Sequence, residues 1–361
     1  MTSPGAYDRW AAESIKRLED EAAEVGPTPL RVLPLPAGSG AALYLKDESA
    51  HPTGSLKHRL ARALFAEAMA RGRIREGTTV VGATGGPMAV AEAYFARLLG
   101  LPYIAVMPGE PSPERAVPVE RLGGECRFVS PPLAIYDAAR ELAAETSGHF
   151  MDHFSSAAAV ADRRAGDLAA ELFGQLPGYG MDVPRWVVAG AGTGATSGAV
   201  GRHVREHGLP TRLAVADPEN SAYFPGWASG AGDYATGMPS RIEGVGRPRM
   251  EPAFVPALID MVVPVPDAAS VAAARHVRAV TGLPVGGSTG TTLWASLELI
   301  ARMRRDGIEG AVVTLIADAG PRHLRTYHDD TWAEKKGLDP APYTATLERF
   351  LSGDPWEPPP R

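Results

Sequence analysis

The chain has 361 residues, 45% of them hydrophobic and 22% charged, with a formal net charge of −6. That length suits one large domain or two medium ones, and the acidic balance argues against a nucleic-acid surface. No apolar run approaches a membrane span, the opening MTSPGAYDRW has no signal-peptide core, and the lone Cys126 rules out an internal disulfide or a cysteine-based zinc site, so a cytoplasmic protein without a metal is expected, with Cys126 as a packing residue.

An amphipathic helix is predicted over residues 8–24. Strand-like and helix-like segments then alternate nearly to the end. The strands are LYLKDE, TTVVGA, YIAVMP, ECRFV, WVVAG, LAVAD, MVVPV and VVTLIAD, with helices such as SLKHRLARALFAEAMA and SVAAARHVRAVTG between them. Such alternation predicts parallel sheets covered by helices on both faces, here two sheets divided near residue 157. The Pro-rich end, GDPWEPPPR, is expected to lack order. In open parallel sheets ligands bind beyond the carboxyl ends of the strands, so the loops that follow strands carry the functional signal.

The first such loop is HPTGSLKHR, residues 51–59, with Ser55 as the expected N-cap. Lys57 then falls in the first helical turn, where the helix dipole disfavours a cation and favours a neutral amine able to condense with an aldehyde. The competing reading is a surface lysine with its ammonium in solvent. Only Lys16, Lys46, Lys57, Lys335 and Lys336 are lysines, so candidates for amine chemistry are few.

The second loop, VGATGGPMAVAEAYF at residues 81–95, runs from a strand through Gly85 and Gly86 into a helix opened by Pro87. Its geometry is that of an anion cradle, yet Pro87 has no N–H, Met88 is apolar, and Thr84 carries the one nearby hydroxyl. The third, WVVAGAGTGATSGAVGRHV, places Gly190, Gly192 and Ala195 in a G-x-G-x-x-A pattern, with Asp217 ending the next strand. Small residues at a helix start let backbone N–H groups close on a phosphate, with Thr193 and Thr196 adding hydroxyls. That phosphate belongs either to NAD or to a phosphomonoester such as pyridoxal phosphate; a tight turn with no ligand is the bland alternative. The fourth, VGGSTGTTLWASLELI at 285–300, offers Ser288 or Thr289 as a hydroxyl directed into a cleft, or as an ordinary cap.

A lysine, a phosphate loop and a hydroxyl-bearing helix start, in this order, resemble the fold-type II pyridoxal phosphate enzymes of the cysteine synthase and cystathionine β-synthase family. PTGSLKHR is similar to that family's P-x-G-S-x-K-x-R, GAGTGATSG to its G-x-G-T-G-G-T with Ala195 for the last glycine, Glu243–Gly246 to the segment passing the cofactor's reactive face, and GGSTG to the loop whose serine meets the pyridine nitrogen. DESAHPTGSLKHRLA, DPENSAYFP and SRIEGVGRPR place the likeness nearest the L-cysteine desulfhydrase branch, over roughly residues 25–335. The resemblance implies an α/β fold of two three-layer αβα domains with mainly parallel twisted sheets, like the tryptophan synthase β-subunit. It divides the chain into a smaller domain at 47–157, a larger cofactor-binding domain at 8–46 plus 158–338, and a tail at 339–361.

The resemblance further implies a lyase or transferase of amino-acid metabolism, with pyridoxal 5′-phosphate as cofactor, an amino-acid-like substrate and a homodimeric assembly. Lys57 would carry the Schiff base and then remove the substrate's Cα proton. Gly192, Thr193, Gly194, Ala195 and Thr196 would anchor the phosphate, Gly244 would border the ring, and Ser288 would face the ring nitrogen. A neutral hydroxyl cannot hold that nitrogen protonated as a carboxylate does, which favours rapid expulsion of a β-substituent: β-elimination or β-replacement.

The departure lies at Thr84, Gly85, Gly86, Pro87 and Met88, where the family pattern reads T/S-S-G-N/S-T and binds the substrate carboxylate. His153, in DHFSS, stands where a glutamine usually assists. Charge-assisted hydrogen bonds contribute roughly 1.5–3 kcal/mol each, so losing two weakens binding of a small amino acid by about two orders of magnitude or more. The expected consequence is an altered substrate, larger or with a masked carboxylate against Met88. Compensation by a protonated His153 and a cofactor-binding paralogue with little catalysis are the other readings, beside an NAD(P)-dependent oxidoreductase built on the 190–195 loop.

Overall fold

The structure, a computed structural model, describes residues 4–161 and 168–360. Ten strands are present among them: β1 (Leu30–Leu33), β2 (Ala41–Asp47), β3 (Val80–Ala83), β4 (Tyr103–Pro108), β5 (Glu125–Val129), β6 (His149–Met151), β7 (Trp186–Gly190), β8 (Arg212–Pro218), β9 (Met261–Val265) and β10 (Gly310–Ile316). Every predicted strand is found. The two unpredicted ones are short: β1 has four residues, buried only at its ends, and β6 has three, too few for a period to show.

The chain forms two compact units, one within Met1–Pro27 and His51–Gly166, the other within Thr28–Ala50 and Asp167–Arg361. In the first, four parallel strands run in the order β5-β4-β3-β6. The helix Ile135–Glu145 packs on one face through Ile135, Ala139 and Ala143, against Val81, Ala83 and Val106. The helices Lys57–Ala70 and Pro87–Leu99 pack against each other, their Phe65 and Phe95 rings 6.3 Å apart. The second unit holds six strands in the order β1-β2-β10-β7-β8-β9, parallel except for β1. One of its cores gathers Val277, Leu293, Trp294 and Ile300 from the helices Asp267–Thr281 and Gly287–Arg305. A separate core joins Leu172 and Val200, from Leu168–Gln175 and Ala195–Glu206, to Val187, Val215 and Val313. Apolar runs such as WVVAG thus belong to strands buried on both faces.

Three boundaries differ from the sequence expectation. The first helix, Pro4–Val25, lies in the first unit rather than with the larger domain. Its Glu21 accepts from His58 Nε2 at 2.9 Å and from the Tyr94 hydroxyl at 3.2 Å, and Arg62 stands 3.5 Å away. Burial holds the His58 imidazole below its ordinary value, so the neutral ring donates to a carboxylate whose charge Arg62 balances. The helix Ala157–Ala161 also lies within the first unit, so the division falls after it and not at 157. The end of the chain is ordered: Leu347 and Phe350 of the helix Ala341–Ser352 are buried, and Trp356 packs on Trp294 at 4.7 Å. Composition had suggested otherwise because proline content reports on helix and strand, not on whether one tryptophan finds a pocket.

Candidate active site

In the second unit, β7 ends at Gly190 and the chain turns through residues 191–194 into the helix Ala195–Glu206. Gly194 is the N-cap, with φ +87°, and a Cβ there would lie 2.4 Å from the Phe254 backbone nitrogen. Only glycine tolerates both the left-handed backbone and that approach. Ala195, by contrast, is the first helical residue, where a side chain meets ordinary helical geometry, so the departure from a glycine motif costs nothing there. The N–H groups of Thr193 and Gly194 donate to no partner among the described residues, although both residues are buried. Ala195 N–H is turned to Thr193 Oγ1 at 3.2 Å. Unpaired donors at a helix N-terminus form an anion site.

Glu243–Gly246 passes beside this turn. Gly246 N–H donates to Ala191 O at 2.8 Å, and the Tyr327 hydroxyl accepts from Glu243 N–H at 2.8 Å. Arg322 Nη1 contacts both oxygens of Glu243 at 2.9 and 3.0 Å, and its Nη2 bonds Asp318 at 2.5 Å. Burial opposes ionisation of Asp318, but His323 and Arg322 overcome it and hold the carboxyl down at about 2. Sequence reading missed Arg322, Asp318 and Tyr327, since each acts through tertiary contact from a loop without periodicity.

The helix Gly287–Arg305 carries five hydroxyls in its first ten residues, Ser288, Thr289, Thr291, Thr292 and Ser296, four of them already engaged. Thr289 accepts from Ala317 N–H, Thr291 donates to Gly287 O, Thr292 to Thr289 O, and Ser296, a turn on, to Thr292 O. Ser288 Oγ bonds nothing among the described residues, Gly290 contributes no side chain, and Ser288 is nonetheless 5% exposed. It faces Gly244: a Cβ on Gly244, whose φ is +90°, would stand 3.7 Å from Ser288 Oγ with no heavy atom nearer. A hydroxyl without a partner among the described residues therefore lies beside a glycine whose φ of +90° suits no other residue type. Of the two candidates in this loop, Ser288 is available and Thr289 is committed.

Asp217 tests the dinucleotide reading. It is 2% exposed, its Oδ2 accepts Phe224 N–H at 2.8 Å, and burial pushes its carboxyl up to about 6. A carboxylate turned inward to fix the next helix is not presented to a ribose, so the G-x-G-x-x-A match lacks its acidic partner.

The first unit holds the lysine and the second anion loop. Lys57 is the first residue of Lys57–Ala70; the cap is Leu56, one residue later than expected, while Ser55 Oγ accepts Lys57 N–H at 3.2 Å. Lys46 is fully buried and donates to Thr28 O, Glu171 and Gln175 in the second unit, Lys16 pairs with Asp20 at the surface, and Lys335 and Lys336 are exposed. The 84–88 loop starts as expected, with Gly86 as N-cap and Pro87 opening Pro87–Leu99. Met88 is 3% exposed, so it serves the core and offers little surface to a ligand. His153 is buried beside Phe154, ring centroids 4.3 Å apart. Arg115, not foreseen, lies where a Cβ on Gly85 would be 3.2 Å from its Nη1; that nitrogen donates to Pro108 O at 2.7 Å and Nη2 to Glu110 O at 2.9 Å.

The pyridoxal-phosphate dependent enzyme family profile matches residues 22–318. The chain belongs to this family. It is 48% identical to the L-cysteine desulfhydrase Cds1 of Mycobacterium tuberculosis, over 96% of each chain, and 31% identical to a putative cysteine synthase of Sinorhizobium fredii, over 91% of this chain and 96% of that one. Among solved structures, O-ureido-L-serine synthase superposes with a TM-score of 0.73 at 25% identity, covering 88% of this chain and 98% of the other. The fold is accordingly that of the family's two α/β domains.

The residues present fit the family's cofactor. The unpaired Thr193 and Gly194 N–H groups suit a phosphate, and the unengaged Ser288 hydroxyl beside Gly244 suits an acceptor at the edge of a ring. No cluster of three or more potential metal ligands occurs among the described residues, and none of their helices is long and apolar enough to cross a membrane.

Proposed function

We propose that this chain catalyses pyridoxal-phosphate-dependent β-elimination or β-replacement on a β-substituted amino acid or derivative, with a substrate preference altered by the 84–88 loop. The observation that carries the proposal is the unpartnered Ser288 hydroxyl. Bound here, pyridoxal phosphate supplies an electron sink for charge developing at the substrate's Cα. Ser288 binds the ring nitrogen as a neutral group, and so does not hold it protonated. A weaker sink favours reactions in which a β-leaving group departs at once over those that prolong charge at Cα.

The residues divide the remaining work. Thr193, Gly194, Ala195 and Thr196 bind the phosphate. Gly244 keeps the ring space open, while Arg322 and Tyr327 hold the Glu243 segment in place. Lys57 supplies the amine that holds the cofactor's aldehyde end, and then moves the Cα proton. Thr84, Gly85 and Gly86 bind what remains of the carboxylate contact, with the Arg115 guanidinium beside Gly85 and with His153 as a further candidate. The L-cysteine desulfhydrase relative favours elimination from a sulfur-bearing substrate, and the synthase relatives favour replacement. A cytoplasmic homodimer completes the proposal, on the family resemblance.

Lys57→Ala is expected to abolish the visible absorbance of the bound cofactor and to lower turnover by about 10²–10⁴-fold. A band surviving at full strength would remove Lys57 from its role. Titration with L-cysteine, O-acetylserine and O-phosphoserine then separates elimination, read as sulfide or pyruvate release, from replacement with an added thiol. Ordinary turnover of all three would remove the altered substrate preference, and spectral silence with every amino-acid derivative tried would favour the binding paralogue.

A further inference from the structure

Beneath the phosphate loop lies a side chain whose role the motif does not announce. Tyr223 begins the short helix Tyr223–Ser229 after β8 and is fully buried. Its hydroxyl donates to Gly192 O at 2.5 Å. Its ring stacks on Phe254, centroids 4.1 Å apart and planes within 14°. Phe254 in turn presents the backbone nitrogen against which Gly194 closes to 2.4 Å at the Cβ position. One stacked aromatic pair thus supports the loop at both ends, at Gly192 through the phenol and at Gly194 through the Phe254 backbone.

The hydrogen bond has a directional consequence. In a trans peptide the carbonyl and the following N–H point to opposite sides. Drawing Gly192 O toward the buried phenol therefore turns Thr193 N–H away from the core, and that N–H has no partner among the described residues. We propose that Tyr223 is a positioning residue for cofactor phosphate binding, which sets the plane of the 192–193 peptide so that Thr193 N–H meets the phosphate.

Tyr223 is itself held. Ser221 Oγ accepts Tyr223 N–H at 3.3 Å and Arg247 N–H at 3.2 Å, while Asp217 accepts the next amide, Phe224 N–H. Burial raises the phenol well above its ordinary value, so it remains a donor throughout the neutral range. Asp217, suggested by the sequence as a ribose ligand, is thereby a distant support of the same phosphate loop.

The inference rests on the pyridoxal phosphate reading, and the test separates the two. Wild type, Tyr223→Phe and Phe254→Leu are titrated as apoproteins with pyridoxal phosphate and, separately, with pyridoxal, which lacks the phosphate. Bound ligand is trapped by borohydride and counted by intact mass. Tyr223→Phe keeps the ring and removes the donor, so it should weaken pyridoxal phosphate on the order of tenfold and leave pyridoxal unchanged. Phe254→Leu, which keeps the hydroxyl but loses the stack, should give a smaller loss with the same selectivity. Equal losses for both ligands, or none, in the folded variants would overturn the proposal. A wild type that traps neither ligand would instead overturn the cofactor reading.

Discussion

The 190–196 loop of the second unit, proposed above to bind the phosphate, and the 84–88 loop of the first are built alike, each a strand, a glycine turn and a helix. They differ in how much of their surroundings depends on them. Around Gly194 the backbone of residues 253–254 leaves no room for a methyl, Gly246 N–H is tied to Ala191 O, and Tyr223 holds Gly192 O. Around Gly85 the nearest atoms to an added Cβ are side chains, Pro108 Cδ at 3.0 Å and Arg115 Nη1 at 3.2 Å. A loop packed against backbone cannot drift without moving a second segment, whereas one packed against side chains can. On the proposed assignment, this is why the cofactor loop matches the family pattern more fully than the substrate loop does.

Gly194→Ala is the strongest test of that contrast. A non-glycine residue at φ +87° costs about 1–2 kcal/mol before the contact with Phe254 N is counted. Retention of pyridoxal phosphate should fall by far more than tenfold, measured by dialysis and absorbance. Gly85→Ala, made alongside, should retain the cofactor, because the nearest atoms to its Cβ belong to the Pro108 ring and the Arg115 side chain of the first unit rather than to backbone. Equal effects of the two alanines would dissolve the comparison.

The double variant Pro87→Ser with Met88→Thr addresses the freer loop. If missing donors limit small substrates, the N–H and hydroxyl gained at position 87 should raise kcat/KM for L-cysteine or O-acetylserine by up to about two orders of magnitude. Met88 is buried, so the threonine also costs about 2 kcal/mol of stability, and the assay belongs well below the unfolding temperature. An unchanged kcat/KM would show that this loop is not what excludes those substrates.

The contrast also explains what could be read in advance. Strand and helix alternation gave the αβα layers because buried parallel strands are continuous apolar runs, and the lysine and glycine motifs are local by nature. Ser55 was misplaced by one residue as a cap since its hydroxyl does accept a helical N–H, but from the turn before Leu56. Tyr223, Arg322 and Tyr327 left no local pattern: each reaches a loop 31 to 84 residues away. Sequence alone leaves Met88 free to face a ligand, whereas in the fold it is a core residue, a distinction of side-chain direction within one turn of helix.

The mildest prediction concerns the ground beneath the substrate loop. Glu92, on the helix that Pro87 opens, is fully buried, accepts the Tyr103 hydroxyl at 2.7 Å, and keeps Oε1 without a partner. Burial pushes its carboxyl up to about 8 from 4.5, against the smaller effect of that hydrogen bond. The folded state thus holds a proton that the unfolded chain has lost between these values, and folding stability declines as pH rises through that window. The full contribution is present below about pH 4.5 and gone above about pH 8, a change on the order of a few kcal/mol at most. Glu92→Gln keeps an acceptor for Tyr103 and carries no charge. Its hydrogen exchange in β3 and in Pro87–Leu99 should match wild type near pH 5 and be slower than wild type near pH 9, after correction for intrinsic rates. Cofactor retention by the second unit should not follow Glu92 at all, since the phosphate loop bears on Tyr223 and Phe254 instead. If both loops loosen together as pH rises, the two sites share one stability and the contrast between them is only one of packing.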